Sequence, residues 1–148
     1  MNLQSLENLS SRLGAELQKN NMFFTCAESC TGGLLSQSIV SVAGSSRWFG
    51  CSFVTYSNHS KSKVLGVSKD TLNSFGAVSE EVVSEMVVGA LRESKANLGI
   101  AISGIAGPSG GTPARPVGTV CIAWKLDQAS TIRAVSYTHL RAHETLLD

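Results

Sequence analysis

The sequence predicts an α/β fold, in the form of a three-layer α/β/α sandwich around a mainly parallel, mixed sheet. Segments with apolar residues at helical spacing alternate along the 148 residues with short apolar runs typical of buried strands. Stretches of small, polar and glycine residues follow several of these runs, and sheets of this kind bind ligands at such strand ends. A chain of this length can bury a core without disulfides or metals, so we expect one folded domain.

The composition excludes several classes of function. The formal net charge is +1 and 16% of the residues are charged, so direct binding to nucleic acid or to an anionic membrane surface is not expected. No apolar run approaches the ~20 residues that span a bilayer, and the amino terminus lacks a secretion signal. We therefore expect a cytoplasmic protein, and the low charge content favours a homo-oligomer, with a dimer as the simplest form.

Helices and strands are predicted by periodicity and by residues that begin or end them. Leucines recur at intervals of three or four in the first segment, and Ser79 followed by two glutamates is a typical start for the longest helix. Apolar runs with β-branched or aromatic residues predict the strands. The predicted helices are Leu3–Lys19, Leu34–Val42, His59–Leu65, a short segment from about Val67 to Phe75, and the long helix after Ser79. The predicted strands are Met22–Ala27, Cys51–Tyr56, Asn97–Ser103, Val117–Leu126 and Thr131–Tyr137, the last two paired with each other.

Residues 27–33 (AESCTGG) form the first candidate functional segment, a tight turn between a strand and a helix. Such a turn lifts the Ser29 hydroxyl off the strand end, and its two glycines let the backbone approach a ligand. Ser29 is therefore a candidate nucleophile. The alternative is that Ser29 and Thr31 only cap the helix, as serine and threonine commonly do.

A serine hydroxyl is a weak nucleophile until a base removes its proton. Lys61 lies early in a short helix, where its charge opposes the helix dipole, and a lysine whose charge is disfavoured can act as such a base. Tyr56 ends the preceding strand and can relay the proton or orient the lysine. The alternative is an edge aromatic and a solvated charge. A short-chain dehydrogenase is disfavoured, because its glycine fingerprint is absent and four residues, instead of three, separate the tyrosine from the lysine.

A glycine-rich segment, residues 104–112 (GIAGPSGGT), follows the strand that ends at Ser103. Its backbone N–H groups and hydroxyls suit an anion such as a phosphate. A flexible connection explains the same composition equally well.

The four cysteines lie in or beside apolar segments, which is typical of buried thiols. Cys26 and Cys30 can be combined with His139 and His143 into a zinc site, but the spacing is unlike that of a zinc knuckle. Nothing in the sequence assigns Cys30 a base that would make it a nucleophile. We expect neither a metal nor a cofactor.

Five motifs in this order resemble the CinA C-terminal domain family. They are residues 27–33 (AESCTGG), 53–58 (FVTYSN) with Lys61, 76–80 (GAVSE), 103–108 (SGIAGP) and 116–120 (PVGTV). The resemblance extends from the first helix to about Ile132. Members of this family are nicotinamide mononucleotide deamidases, which hydrolyse the carboxamide of this small nucleotide to give nicotinate mononucleotide and ammonia in pyridine nucleotide salvage.

The resemblance implies a role for each matching residue. Ser29 would be the nucleophile, with Tyr56 and Lys61 as its activating partners. The oxyanion would be stabilised by backbone N–H groups at Cys30, Thr31, Gly32 and Gly33. The ribose phosphate would be held by Ser103, Gly104, Gly107, Gly110 and Gly111.

Two departures from the family pattern lead to further expectations. The chain starts at the first helix, so the pyrophosphatase activity of the molybdopterin-binding-like domain that precedes some members is not expected. Residues 1–134 are interpreted as a C-terminally truncated amidohydrolase domain. Residues 135–148 lack the family's Gly-Asp-Arg segment and last helix, and are interpreted as a family-unlike tail of foreign or frameshifted origin.

Two other functions stay open at this point. One is a catalytically weak nucleotide-binding or protein-interaction module, in line with the family's link to competence and the response to DNA damage. The other is a serine hydrolase that applies the same chemistry to another small amide.

Overall fold

The computed structural model describes residues 2–138. Its helices are α1 (Leu3–Lys19), α2 (Leu34–Val40), α3 (Asn58–Leu65), α4 (Lys69–Phe75) and α5 (Glu80–Ser94), with a short 3₁₀ turn at Ser45–Arg47. Its strands are β1 (Phe24–Glu28), β2 (Phe49–Val54), β3 (Leu98–Gly104), β4 (Val120–Leu126) and β5 (Arg133–Tyr137). The order of the elements is the one that the sequence predicts.

The five strands form one sheet in the order β2-β1-β3-β4-β5. Strand β1 lies parallel to both β2 and β3, whereas β3 pairs antiparallel with β4, and β4 with β5. The predicted α/β sandwich with a mixed sheet is confirmed. The parallel part matters for function, because the carboxyl ends of β1, β2 and β3 meet at one edge of the sheet.

Helices cover both faces of this sheet and create two cores. On one face Phe24 and Cys26 of β1 pack with α1, α2 and the buried ring of Trp48. On the other face Ala27 of β1 packs with α3, α4 and α5. The side chains of a strand alternate between its two faces, so Cys26 and Glu28 lie on the face opposite to that of Ala27.

Helix α3 is held close to the sheet by α5. Gly89 of α5 faces α3 so closely that a Cβ at this position would overlap the carbonyl oxygen of Leu65. At its other end α3 begins at a cap, because the Ser57 hydroxyl accepts a hydrogen bond from the Ser60 N–H at 3.1 Å. These two contacts determine where Lys61, in the middle of α3, meets the sheet.

Strands β1, β3, β4 and β5 begin later than the sequence predicts, and β2 begins earlier, at Phe49. Strand β1 starts at Phe24 because Asn21 adopts a left-handed φ of 52° and the Met22 N–H still donates to the Leu17 carbonyl of α1 at 2.8 Å. Strand β4 starts at Val120 because the preceding residues form a turn, in which the Thr119 N–H donates to the Pro116 carbonyl at 3.0 Å.

The carboxyl-terminal strand pairs as predicted, since β5 lies antiparallel to β4. It runs through residues 133–137 and therefore across the predicted boundary between residues 134 and 135. The interpretation of the tail as family-unlike stays a prediction. Its residues His139, Arg141 and His143 lie outside the described residues.

Candidate active site

Ser29 directly follows β1 at the carboxyl edge of the sheet. Its N–H donates to the Ile102 carbonyl of β3 at 3.0 Å, so the backbone is still held by the sheet. The residue is buried, and strand alternation directs its side chain toward the face that carries α3.

Lys61 reaches Ser29 from α3. Its Nζ lies 2.9 Å from the Ser29 Oγ, 2.8 Å from the Thr55 carbonyl oxygen and 3.0 Å from the Tyr56 carbonyl oxygen. The side chain is only 1% exposed, so Lys61 is not a solvated surface charge. The structure thus brings together two residues that are 32 positions apart in the sequence.

The surroundings of Lys61 favour its neutral form. Burial lowers the pKa of Lys61 below its usual 10.5, and an interaction with the Cys30 thiol partly opposes this. Across residues 2–138 the structure contains one ion pair, between Arg92 and Glu93, so no carboxylate there compensates Lys61. A neutral amine has two N–H donors and one lone pair. When the amine is neutral and its two N–H groups donate to the two carbonyls, its lone pair can accept the proton of the Ser29 hydroxyl.

Tyr56 contacts this pair through its backbone and not through its ring. The carbonyl accepts from Lys61, whereas the residue is 74% exposed. Among the hydrogen bonds of the described part of the chain, none involves the Tyr56 hydroxyl. Strand alternation explains this: the chain continues from β2, and the inward position at this point belongs to Thr55.

Thr55 adds a buried hydroxyl to the site. Its N–H donates to the Glu28 carbonyl oxygen at 2.9 Å, which extends the pairing of β1 with β2 beyond the two strands. Its Oγ1 is buried and has no hydrogen-bond partner within the described residues. An unsatisfied buried hydroxyl is costly to folding.

The loop of residues 29–33 (the Ser29 loop) is organised by a residue that the sequence analysis did not single out. Glu28 is fully buried, and its carboxylate accepts from the backbone N–H groups of Leu35 and Ser36 at 2.8 and 3.0 Å. Helix α2 is therefore capped by Glu28. Its N-cap residue is Gly33, which has no side chain to do so. The alternative in which Ser29 and Thr31 cap this helix is wrong.

A local signal for Glu28 exists in the sequence. It is the single charged residue at the end of an otherwise apolar run, and a buried charge needs several polar partners. Thr31 is one of them, since its hydroxyl donates to Glu28 at 2.7 Å. The structure thus gives the Thr31 side chain an internal partner.

Several N–H groups of the Ser29 loop are free to bind an anion. The Gly32 N–H donates to the Ser29 carbonyl at 3.1 Å, but those of Cys30, Thr31 and Gly33 donate to no acceptor within residues 2–138. Burial raises the pKa of the Cys30 thiol, and the N–H groups of Cys30 and Thr31 together with Lys61 oppose that rise. The N–H groups of Cys30 and Thr31 therefore lie beside the Cys30 Sγ and favour negative charge there. The raised pKa also argues against a Cys30 thiolate as nucleophile.

The predicted phosphate-binding residues, at the end of β3 and in the loop after it, have internal contacts. The Ser103 hydroxyl is buried and donates to the Ala77 carbonyl at 2.9 Å. A Cβ at Gly104 would lie 2.8 Å from the Cys30 Sγ, so this glycine lets β3 approach the Ser29 loop. Gly107 and Gly111 pack closely against Val117.

The middle of the glycine-rich loop is more open. A Cβ at Gly110, or at Gly32 of the Ser29 loop, would meet no atom closer than 3.8 Å. Arg115 links the far side of the loop to the end of α4 by donating to the Phe75 carbonyl. A cavity of about 300 Å³ lies beside this arginine, at the edge of the sheet where β4 begins. Its polar lining includes Ser79, Glu80, Glu81, Arg115, Thr119 and Ser136.

Neither a metal cluster nor a membrane span is found in the part of the chain that the structure describes. It contains no group of three or more histidine, cysteine, aspartate or glutamate residues placed to hold a metal ion. Burial raises the pKa of Cys26 to about 12, which disfavours the thiolate that zinc requires. No described helix is long and apolar enough to cross a bilayer.

The fold and the site together define an α/β protein with a buried serine–lysine pair at the carboxyl edge of its parallel strands. A lysine that serves as base for a serine is a known variant of the hydrolase triad. The sequence matches the CinA C-terminal domain over residues 6–145. The chain belongs to this family, as the resemblance of the five motifs predicted.

Similar proteins carry names that refer to amide hydrolysis or to competence. The chain is 52% identical over 120 residues to nicotinamide-nucleotide amidohydrolase PncC of Enterobacter agglomerans, a match that covers 81% of this chain and 73% of that protein. It is 56% identical over 107 residues to a CinA-like protein of Fervidobacterium nodosum, covering 72% of this chain and 26% of that protein. The crystal structure of the competence/damage inducible protein CihA from Agrobacterium tumefaciens is similar with a TM-score of 0.90 at 37% identity, over 95% of this chain and 86% of that one.

Proposed function

We propose that this chain is an amidohydrolase that converts nicotinamide mononucleotide to nicotinate mononucleotide and ammonia, with Ser29 as nucleophile and Lys61 as its base. The observation that carries the proposal is the 2.9 Å contact between the Lys61 Nζ and the Ser29 Oγ in a buried site, where no carboxylate of residues 2–138 forms an ion pair with Lys61. The substrate is proposed from the name of the relative that is 52% identical to this chain over 120 residues. Such a reaction belongs in pyridine nucleotide salvage.

The first chemical step is the attack of Ser29 on the carboxamide carbon. Neutral Lys61 takes the hydroxyl proton as the Oγ–C bond forms, and the carbonyl oxygen gains the negative charge. The free N–H groups of Cys30 and Thr31 are the proposed donors to this oxyanion. Removal of one such donor typically lowers kcat by about 10²- to 10³-fold.

The second step releases ammonia. Protonated Lys61 returns its proton to the departing amide nitrogen as the C–N bond breaks, which leaves an ester on Ser29 and a neutral amine. Water then attacks the ester with Lys61 as base again, and nicotinate mononucleotide leaves. The sum is one amide and one water converted to one carboxylic acid and one ammonia.

The remaining residues are proposed to bind and orient the substrate. The carbonyl of Tyr56, together with that of Thr55, holds Lys61, and the exposed Tyr56 ring is available to the pyridine ring of the substrate. The backbone from Ser103 to Gly111 is proposed to lie along the ribose phosphate. Gly110 supports this, since the space beside it is open.

The test is ammonia release from nicotinamide mononucleotide by the full chain and by two pairs of variants. Ser29→Ala should abolish turnover, and Lys61→Met should lower it by about 10³-fold. Lys63→Met and Lys69→Met, which change two exposed lysines outside the site, should retain most of it. Near-normal turnover by Ser29→Ala would contradict the proposed mechanism.

The same assay separates the substrate classes. Nicotinamide and other small amides should release ammonia far more slowly than the mononucleotide, if the ribose phosphate contributes to binding. Comparable rates with several amides would instead favour a general serine amidase. Binding of the mononucleotide without turnover would favour a nucleotide-binding module.

A further inference from the structure

Glu28 is a buried charge that the proposed reaction does not use. It is 0% exposed, and no lysine or arginine forms an ion pair with it among residues 2–138. Charged side chains are rarely buried completely unless they are paired or fully hydrogen-bonded. A buried carboxylate in this position, next to Ser29, therefore calls for a function.

Both oxygens of the Glu28 carboxylate are occupied by donors. The Oε1 accepts from the Thr31 hydroxyl at 2.7 Å and from the Leu35 N–H at 2.8 Å. The Oε2 accepts from the Ser36 N–H at 3.0 Å and from the Ser36 hydroxyl at 2.6 Å. Ser36 in turn lies 2.9 Å from the Ser52 Oγ of β2. The carboxylate thus connects β1, the Ser29 loop, α2 and β2.

One of these bonds distinguishes Glu28 from an ordinary helix cap. The bonds to Leu35 and Ser36 satisfy the start of α2, which any capping group would do. The bond to Thr31 is different, because Thr31 lies in the loop and not in the helix. It ties the middle of the Ser29 loop to the strand that precedes it, so that both ends of the Ser29–Thr31 segment are held.

Glu28 does not act as a counterion of the catalytic lysine. Glu28 faces α2, whereas Lys61 approaches Ser29 from α3 on the other side of the sheet. The two side chains are separated by the backbone of β1. Any influence of Glu28 on the reaction must therefore pass through the geometry of the Ser29 loop.

We propose that Glu28 is a positioning residue for this reaction: through Thr31 it holds the Ser29 loop so that the Ser29 Oγ faces Lys61 and the free N–H groups face the substrate carbonyl. This inference rests on the proposed role of Ser29. The requirement is strict, since misplacement of a reacting group by about 1 Å can cost ~10²-fold in rate.

The decisive experiment compares Thr31→Val with Thr31→Ser. Valine keeps the shape of the side chain and loses the hydroxyl that Glu28 accepts, whereas serine keeps the hydroxyl. We expect Thr31→Val to lower kcat by about 10-fold or more with little change in KM, and Thr31→Ser to restore most of kcat. Equal kcat values for the two variants would overturn the proposal.

Two further variants complete the set. In Glu28→Gln an NH₂ group replaces one of the two carboxylate oxygens, so two of the four hydrogen-bond donors lose their acceptor. This variant should therefore lower kcat more than Thr31→Val does. Ser52→Ala touches neither oxygen of Glu28 and should keep kcat near the wild-type value. Thermal unfolding of all variants identifies any loss of folded protein, and the Thr31 pair still decides the question if Glu28→Gln does not fold.

A second readout does not depend on the substrate. The rate at which a fluorophosphonate labels Ser29 reports the reactivity of the hydroxyl itself, with Ser29→Ala as the unlabelled control. Slower labelling of Thr31→Val than of Thr31→Ser would support the role of Glu28 even if nicotinamide mononucleotide is not the substrate. A wild-type chain that neither turns over the mononucleotide nor reacts with the probe would overturn both proposals.

Discussion

Lys61 and Glu28 are both buried ionisable side chains without a partner of opposite charge in residues 2–138, yet their surroundings differ. Lys61 is surrounded by two carbonyls and one hydroxyl, and burial lowers its pKa. Glu28 is surrounded by N–H and O–H donors that occupy both of its oxygens. The first environment leaves a group that can exchange a proton with Ser29. The second environment holds the Glu28 carboxylate in one position, and the carboxylate in turn holds the Ser29 loop and the start of α2.

The comparison explains how one short segment can combine reactivity with rigidity. Glu28 ends β1 and Ser29 directly follows it, with Glu28 directed to the α2 face and Ser29 to the α3 face. Reactivity comes from the α3 side, where desolvation acts on the lysine. Rigidity comes from the α2 side, where a saturated hydrogen-bond network holds the loop.

The largest expected effect is that of Lys61→Met, which removes the base. We expect kcat for nicotinamide mononucleotide to fall by about 10³-fold, because general base catalysis by a positioned side chain typically contributes 10²- to 10⁴-fold. The measurement is ammonia release at saturating substrate. Lys63→Met is the matched control, and a similar loss in that variant would mean that the charge of α3, and not the Ser29 contact, matters.

A smaller effect is expected from Glu28→Gln, about 10²-fold in kcat, and it should differ in kind. Because Glu28 acts on position and not on proton transfer, the pH at which the rate of Glu28→Gln is half-maximal should stay at the wild-type value. The measurement is the pH profile of kcat/KM for both proteins. A shift of the pH profile in Glu28→Gln would mean that Glu28 also affects proton transfer, and would contradict a role in positioning alone.

The pH dependence of the wild type follows from the lowered pKa of Lys61. Only the neutral amine can take the Ser29 proton, so kcat/KM should rise with pH through the pKa of Lys61, with a midpoint below 10.5. A midpoint at or above 10.5 would contradict the conclusion that burial lowers the pKa of Lys61. The profile is measured with substrate well below KM, so that it reports the free enzyme.

The same pKa shift predicts a change in stability with pH. Between the lowered pKa of folded Lys61 and 10.5, the unfolded chain binds more protons than the folded one, so the free energy of unfolding should increase as pH rises through this window. Denaturant titrations at several pH values measure this slope. In Lys61→Met the free energy of unfolding should no longer increase with pH through this window. An unchanged increase in the variant would mean that other groups cause it.

The smallest effect is expected from Tyr56→Phe. The carbonyl of Tyr56 holds Lys61 and its ring is exposed, so loss of the hydroxyl should change kcat by less than about 3-fold, well below the loss typical of a group that transfers a proton. Tyr56→Ala should instead raise KM, if the ring covers the pyridine of the substrate. A large loss of kcat in Tyr56→Phe would support the proton relay that the position of Tyr56 in the sequence suggested.

Local patterns predicted most of the elements, because their causes are local. Helical spacing of leucines gave α1, and Ser79 with two acidic residues marked the start of α5. The errors lie at ends of elements, for example at Met22 and Val117, where a helix end or a turn delays the strand. These details depend on backbone hydrogen bonds that composition does not encode.

The site could be predicted only in part for the same reason. Ser29 was found from its position between an apolar run and two glycines, and Lys61 from a charge that opposes the dipole of a short helix. Glu28 was missed, because its partners lie three to eight residues further on and become visible only when α2 folds back over the strand. For Tyr56 the sequence could not tell whether the ring or the carbonyl meets Lys61.

By itself, the sequence determined the order of helices and strands, the turn that presents Ser29 and, through five motifs, the family. These depend on periodicity, capping and turn chemistry, which act over a few residues. Only the tertiary structure decided that Lys61 is buried against Ser29, that Tyr56 contributes its carbonyl, and that Glu28 holds the Ser29 loop. Each of these depends on which elements pack together, since burial determines both the pKa of a lysine and the partners that a buried carboxylate must find.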